Sequence, residues 1–96
     1  MLSPRSTIVA SKDLISRGLH EEEVILHLKS GVYYGLDDIG GRIWQMIREP
    51  RSVNDILDAI QNEYEVQPEQ CERDVLPFLE KLAVEGLIEI KDETNQ

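Results

Sequence analysis

Two short apolar runs, Val24 to Leu28 and Val32 to Leu36, flank Gly31 and lead directly into Asp37-Asp38. This stretch constrains the fold more than any other. Both runs read as strands joined by a tight turn, and the acidic pair reads as the start of a helix. The loop can hold two or three residues, and the choice sets which side chains share a face. With two, Leu28 faces Tyr33, while Val32, Tyr34 and Leu36 stand beside His27 and Lys29. With three, Leu28 faces Val32, Leu26 faces Tyr34 and Val24 faces Leu36. The second register gathers the apolar residues on one side and leaves Ile25, His27, Tyr33 and Gly35 on the other. It also puts Gly31 in the left-handed position that ends such a loop, where glycine has no Cβ to clash. The three-residue loop is therefore expected.

Upstream, Thr7 to Ala10 are β-branched and small and predict a first strand. Lys12 to Glu23 read mostly as loop, with Asp13 to Gly18 a turn or a brief extended piece and Glu21-Glu22-Glu23 a solvated turn. Downstream, Asp37 or Asp38 caps a helix carrying Ile39, Ile43, Met46 and Ile47, with Trp44 beside the stripe. Gly40 and Gly41 are poor helix formers, and a pair of them here predicts close approach of another backbone, the sheet. Ser52 opens a second helix with Val53, Ile56, Leu57, Ile60 and Tyr64 on one face. Pro68 fits the first turn of a third, which runs through Cys71, Val75, Leu76, Phe78, Leu79, Leu82 and Ala83 and stops at Gly86. Pro77 falls inside this pattern and predicts a kink near Arg73-Asp74 or a helix in two offset pieces. Leu87 to Ile90 form a short apolar tail or a small strand.

The chain of 96 residues has the length of one domain, taken as residues 1–96 with frayed ends at about 1–5 and 92–96. Its net charge of −9, with ten scattered Lys and Arg, argues against nucleic-acid binding, which draws on a basic patch. A single cysteine, no apolar run long enough for a membrane span and no secretory signal point to a cytoplasmic protein. A catalytic site is hard to assemble. His20 and His27 lack partners at metal-ligand spacing, Cys71 sits among apolar neighbours as a structural thiol, and no glycine-rich phosphate loop occurs. No enzyme activity, metal or cofactor is expected. Val32, Tyr33 and Tyr34 beside an apolar helix leave two readings open: ordinary sheet residues, or an edge that accepts an extended peptide by strand addition.

Gly31-Val32-Tyr33-Tyr34-Gly35-Leu36, Ile39-Gly40 and Ile43-Trp44 carry a resemblance, continued by Ser52-Val53, Glu63-Tyr64, Arg73-Asp74-Val75, Phe78-Leu79, Leu82 and Gly86-Leu87-Ile88. In order and spacing they resemble the PqqD family, which includes pyrroloquinoline-quinone biosynthesis protein D and the RiPP recognition elements. The likeness spans about Val24 to Ile90 and is strongest in the Gly-x-Tyr-Tyr-x-Leu strand and the Ile-Trp helix. Within the family the chain looks most like the free-standing leader-binding proteins of lasso-peptide clusters.

The resemblance implies an α+β winged helix-turn-helix, a three-stranded antiparallel sheet packed on a three-helix bundle. It implies binding of the leader segment of a ribosomally made precursor, presented to a separate leader peptidase (a cysteine protease) and to an ATP-dependent cyclase. The implied docking strand is Val32, Tyr33, Tyr34, Gly35 and Leu36, with Cys71, Asp74, Val75 and Phe78 on the third helix lining pockets. Asp74 either accepts a hydrogen bond from the leader or stands as a solvated edge position. Two alternatives stand beside it: a peptide chaperone for a radical-SAM enzyme, from the same likeness, and a winged-helix transcription regulator, from the similar order of the bundle. The second fits poorly, because Glu69, Glu72, Asp74, Glu80 and Glu85 outnumber Arg73 and Lys81 on the third helix.

Overall fold

A computed structural model describes residues 2–19 and 22–91; Met1, His20, Glu21 and the polar end at 92–96 lie outside the described residues. The elements are β1 (Thr7–Ala10), β2 (Leu14–Leu19), β3 (Glu22–His27), β4 (Val32–Leu36), α1 (Asp38–Met46), β5 (Arg51–Ser52), α2 (Val53–Tyr64), α3 (Pro68–Val84) and β6 (Ile88–Lys91). The fold is the expected α+β winged helix-turn-helix type, but its strands form two sheets rather than one. Both are three-stranded and antiparallel, with orders β5-β1-β6 and β2-β3-β4.

The first strand thus leaves the hairpin for another sheet, and β2 takes its place. Residues 14–19 were expected as loop because Leu14-Ile15-Ser16-Arg17 shows no apolar-polar alternation. Its strand is fixed by pairing with β3 from Leu14↔His27 to Leu19↔Glu22, a tertiary cause that local composition does not carry. Glu22 and Glu23 likewise belong to β3 rather than to a solvated turn, and Glu23 is buried.

The hairpin register also differs from expectation. His27 pairs with Val32, Ile25 with Tyr34 and Glu23 with Leu36, so the loop holds Leu28, Lys29, Ser30 and Gly31. Gly31 does end the loop in the left-handed region, at φ 73°, and its N–H donates to His27 O at 2.8 Å. Ser30 N donates to His27 Nδ1 and Val32 N to Ser30 Oγ, both at 3.3 Å, so the longer loop satisfies its own backbone. The extra residue inverts the faces of β3: Ile25 is fully buried against the helices, and Val24 and Leu26 turn outward.

Asp37 caps α1, its Oδ1 accepting from Gly40 N at 2.9 Å, and Ser52 caps α2, its Oγ accepting from Asp55 N at 3.0 Å. Arg51 Nε donates to Met46 O at 3.1 Å and so satisfies a carbonyl at the end of α1. Gly86, at φ 79°, closes α3, with Gly86 N donating to Ala83 O and Leu87 N to Leu82 O. No break occurs at Pro77: α3 is one helix of 17 residues. Pro77 and Arg73 are both exposed residues, so the hydrogen bond that the proline removes falls on the outer side of α3. The chain before β1 lies against the start of α2. Val53 N donates to Ser6 O at 2.9 Å and Asn54 N to Pro4 O at 3.1 Å, which supplies acceptors for the first N–H groups of α2.

The core joins Ile8, Ile25, Leu36, Ile43, Trp44, Ile47, Val53, Ile56, Ile60, Leu79 and Leu87. The register makes a direct prediction. Ile25→Ala should cost about 2–5 kcal/mol of stability, and Leu26→Ala about 1 kcal/mol or less, measured by urea unfolding. Equal losses would contradict the pairing.

Candidate functional site

Among the described residues β4 pairs only with β3 and occupies an end of its sheet, so one side of its backbone faces no described strand. A groove of about 360 Å³ opens beside it, between the end of β4, the start of α1 and the middle of α3. Gly35, Leu36, Asp37, Ile39, Gly40, Ile43, Asp74, Val75 and Phe78 line it.

Each wall has a local cause. Leu36 lies on the inner face of β4, paired with Glu23, and is buried at the base. Val75 and Phe78 come from the same side of α3 at helical spacing, with Val75 buried and Phe78 half-buried. Gly40 lets the Phe78 ring approach α1: a Cβ on Gly40 would stand 3.2 Å from Phe78 Cζ, 3.2 Å from Asp37 Oδ1 and 3.4 Å from Leu36 Cβ. Gly41 meets the sheet as its sequence implied, with its Cβ position 3.5 Å from Glu23 Cβ. Asp37 is engaged by its capping bond, whereas Asp74 is held at the rim by Gln70 Nε2, which donates to both carboxylate oxygens at 3.1 and 3.0 Å. The groove is thus apolar at its base and acidic at its edge.

Five of the nine expected site residues meet here: Gly35, Leu36, Asp74, Val75 and Phe78. Val32 and Tyr33 are 45% and 69% exposed on the same strand, Tyr33 on its outer face. Tyr34 faces inward, opposite Ile25, and bridges β4 to the end of α3 by donating its hydroxyl to Glu85 Oε1 at 3.0 Å. Cys71 does not line the groove. It is buried, with Sγ directed at Leu57 O of α2 at 3.7 Å; burial, then the nearby Asp74 and Glu72, push its thiol above the ordinary range. Its place one turn before Val75 put it on the expected stripe, but the bundle turns that end of the stripe toward α2. Asp37, Ile39, Gly40 and Ile43 were missed as lining residues. The Gly40-Gly41 pair was the available signal, since it marked a close approach without saying which element approached. Among the described residues no group of three or more His, Cys, Asp or Glu is placed to hold a metal ion, and no helix is long and apolar enough to cross a membrane.

Burial, reinforced by the hydrogen bond to and charge of Glu85, raises the Tyr34 phenol above its ordinary value near 10. Because the folded-state value is the higher one, the bridge is intact below that range and is lost as pH climbs through the raised value. Glu85→Gln should therefore lower the Tyr34 titration midpoint, read as the tyrosinate absorbance difference between proteins with and without Tyr34→Phe.

Comparison with known proteins identifies the family and the fold. The family described as Coenzyme PQQ synthesis protein D (PqqD) matches residues 22–88. Among solved structures, one described as TbiB1 in complex with the TbiA(beta) leader peptide is 41% identical, with a TM-score of 0.79 over 84% of this chain and 94% of that one. A second, described as lasso peptide synthetase B1 complexed with the leader peptide, shares the fold at 24% identity, with a TM-score of 0.76 over 85% of this chain and 96% of that one. No curated protein matches. With its family match running from β3 into β6 and the α1–α3 bundle between them, the chain belongs to the PqqD family.

Proposed function

We propose that the chain binds the leader segment of a ribosomally made precursor peptide, of the lasso-peptide kind, by adding it as a strand to the free edge of β4. One observation carries this: an unpaired strand edge opens onto an apolar groove in a fold whose 41%-identical relative is described in complex with a leader peptide. Backbone hydrogen bonds to β4 supply affinity that is indifferent to sequence, and the groove supplies choice. Inward-facing leader side chains enter it over Leu36, Ile43, Val75 and Phe78, and Asp74 accepts a hydrogen bond from the leader at the rim. The bound leader is presented in the cytoplasm to a separate leader peptidase, a cysteine protease, and then to an ATP-dependent cyclase. The chain's own part is positioning rather than bond-making, and it calls for no cofactor.

A fluorescein-labelled leader peptide from the precursor encoded beside this chain, titrated by fluorescence anisotropy, tests the reading. Phe78→Ala and Val75→Ala should weaken binding about tenfold or more, and Asp74→Asn less. Absence of binding to the wild-type chain refutes the proposal. In an antiparallel ladder, neighbouring residues point their N–H groups to opposite sides. Of Tyr33→Pro and Tyr34→Pro, one should damage the hairpin and the other should leave the melting temperature near that of its alanine control while abolishing binding. If the well-folded proline variant binds as its alanine control does, the leader is not held by strand addition.

A further inference from the structure

Glu23 breaks the pattern of its strand. It shares the inward face of β3 with Ile25, stands opposite Leu36 of β4 and is only 6% exposed, yet it carries a carboxylate. Such a group is rarely buried unless an opposite charge or hydrogen bonds compensate it. Among the described residues, no hydrogen bond or ion pair reaches the Glu23 side chain. Gly40 N and Gly41 N, in the first turn of α1, do not serve it either, because Asp37 Oδ1 and Asp37 O accept from them.

The carboxylate opens into a cleft of about 310 Å³ between Gly18 of β2, the start of β3 and the first two turns of α1. Glu22 and Asp38 add two more acids to its wall. Its one cation is already engaged: Arg42 Nε and Nη2 donate to the two carboxylate oxygens of Glu63, each at 2.9 Å. Tyr64, on the same wall, turns its hydroxyl to Asp38 Oδ1 at 3.3 Å. The cleft is thus negative, with a buried acceptor that lacks a donor. It shares no lining residue with the groove beside β4: Asp37 and Gly40 line the groove, Asp38 and Gly41 the cleft.

We propose that this cleft receives an arginine side chain of a partner protein, with Glu23 as the buried acceptor and Glu22 and Asp38 at the rim. No three of the described acids are placed to hold a metal ion, so the fitting cation is one whose donors are spread out. A guanidinium carries five N–H groups in one plane; it can pair with Glu23 through two of them and turn the others toward the rim. The cleft is open on one side and holds a single deep acceptor, which suits a side chain delivered by a larger surface rather than a free small molecule. The net charge of −9 draws a cationic surface toward it. Because cleft and groove are separate, partner and leader need not compete, and the proposal stands independently of strand addition to β4.

The isotope-labelled chain is titrated with N-acetyl-arginine methylamide at low ionic strength, where screening is weak, and its amide resonances are followed by NMR. Gly18, Glu23 and Gly41 should shift together and saturate. The matching citrulline compound, of the same shape but uncharged, should leave them in place. Glu23→Gln should weaken the arginine probe about tenfold, and Glu22→Gln or Asp38→Asn about twofold. Glu23→Gln should also melt at or above the wild-type temperature, because it removes a buried charge that no described group neutralises. The site is overturned if the arginine probe gives no saturable shift, if the citrulline probe matches it, or if Glu23→Gln binds within about twofold of wild type or melts well below it. Tighter binding of free arginine than of the capped residue would make the ligand a small molecule and overturn the assignment to a partner protein.

Discussion

The register of the β3–β4 hairpin is the constraint on which the rest depends. Because strand side chains alternate with a period of two, one residue more or less in the loop exchanges the faces of β3. The loop that ends at Gly31 sets Ile25 opposite Tyr34 and Glu23 opposite Leu36, and this pairing sends Ile25 and Leu36 into the core. With Leu36 anchored there, Gly40 can bring α1 against it, and Phe78 can close on Gly40 from α3. The groove is therefore a product of strand register, helix glycine and helix spacing acting together. No single element contains it.

What was legible in the sequence follows the range over which the cause acts. Caps, stops and helix stripes are local, and Ser52, Pro68, Gly86 and the α2 face behaved as their residue types imply. The faces of β4 were also legible, with Tyr34 and Leu36 inward and Tyr33 and Gly35 outward. The β3 partner was not, because three- and four-residue loops both end in a left-handed glycine, and the apolar count favoured the shorter. β2 was hidden for a related reason: its strand exists through its neighbour, and Leu14-Ile15 carries no alternation. Cys71 shows the limit of spacing arguments on a helix. Residues 71, 75 and 78 share a stripe, but a stripe wider than one neighbour is divided between α2 and the groove.

Charge gives the site its character. A winged helix built for DNA presents cations along its recognition helix. Here Glu69, Glu72, Asp74 and Glu80 are all exposed along α3, and a phosphate backbone would be repelled. The same acids leave an apolar floor untouched, since Val75 and Phe78 lie between them in the helical repeat. An acidic rim over an apolar base suits a peptide that brings N–H groups and hydrocarbon, and it discourages association of two such acidic chains through the same edge.

The sheet that does not contain β4 has a different significance. Thr7 at the start of β1 pairs with Lys91 at the end of β6, so the two strands are clasped with both outgoing chain directions at one end. A force applied at these two points does not shear the pair. It peels them apart like a zipper, from Thr7–Lys91 through to Ala10–Ile88, and loads one rung at a time. β4 is in the other sheet, which this zipper does not include. Tension applied at Thr7 and Lys91 is thus spent on β1 and β6 before it reaches β4.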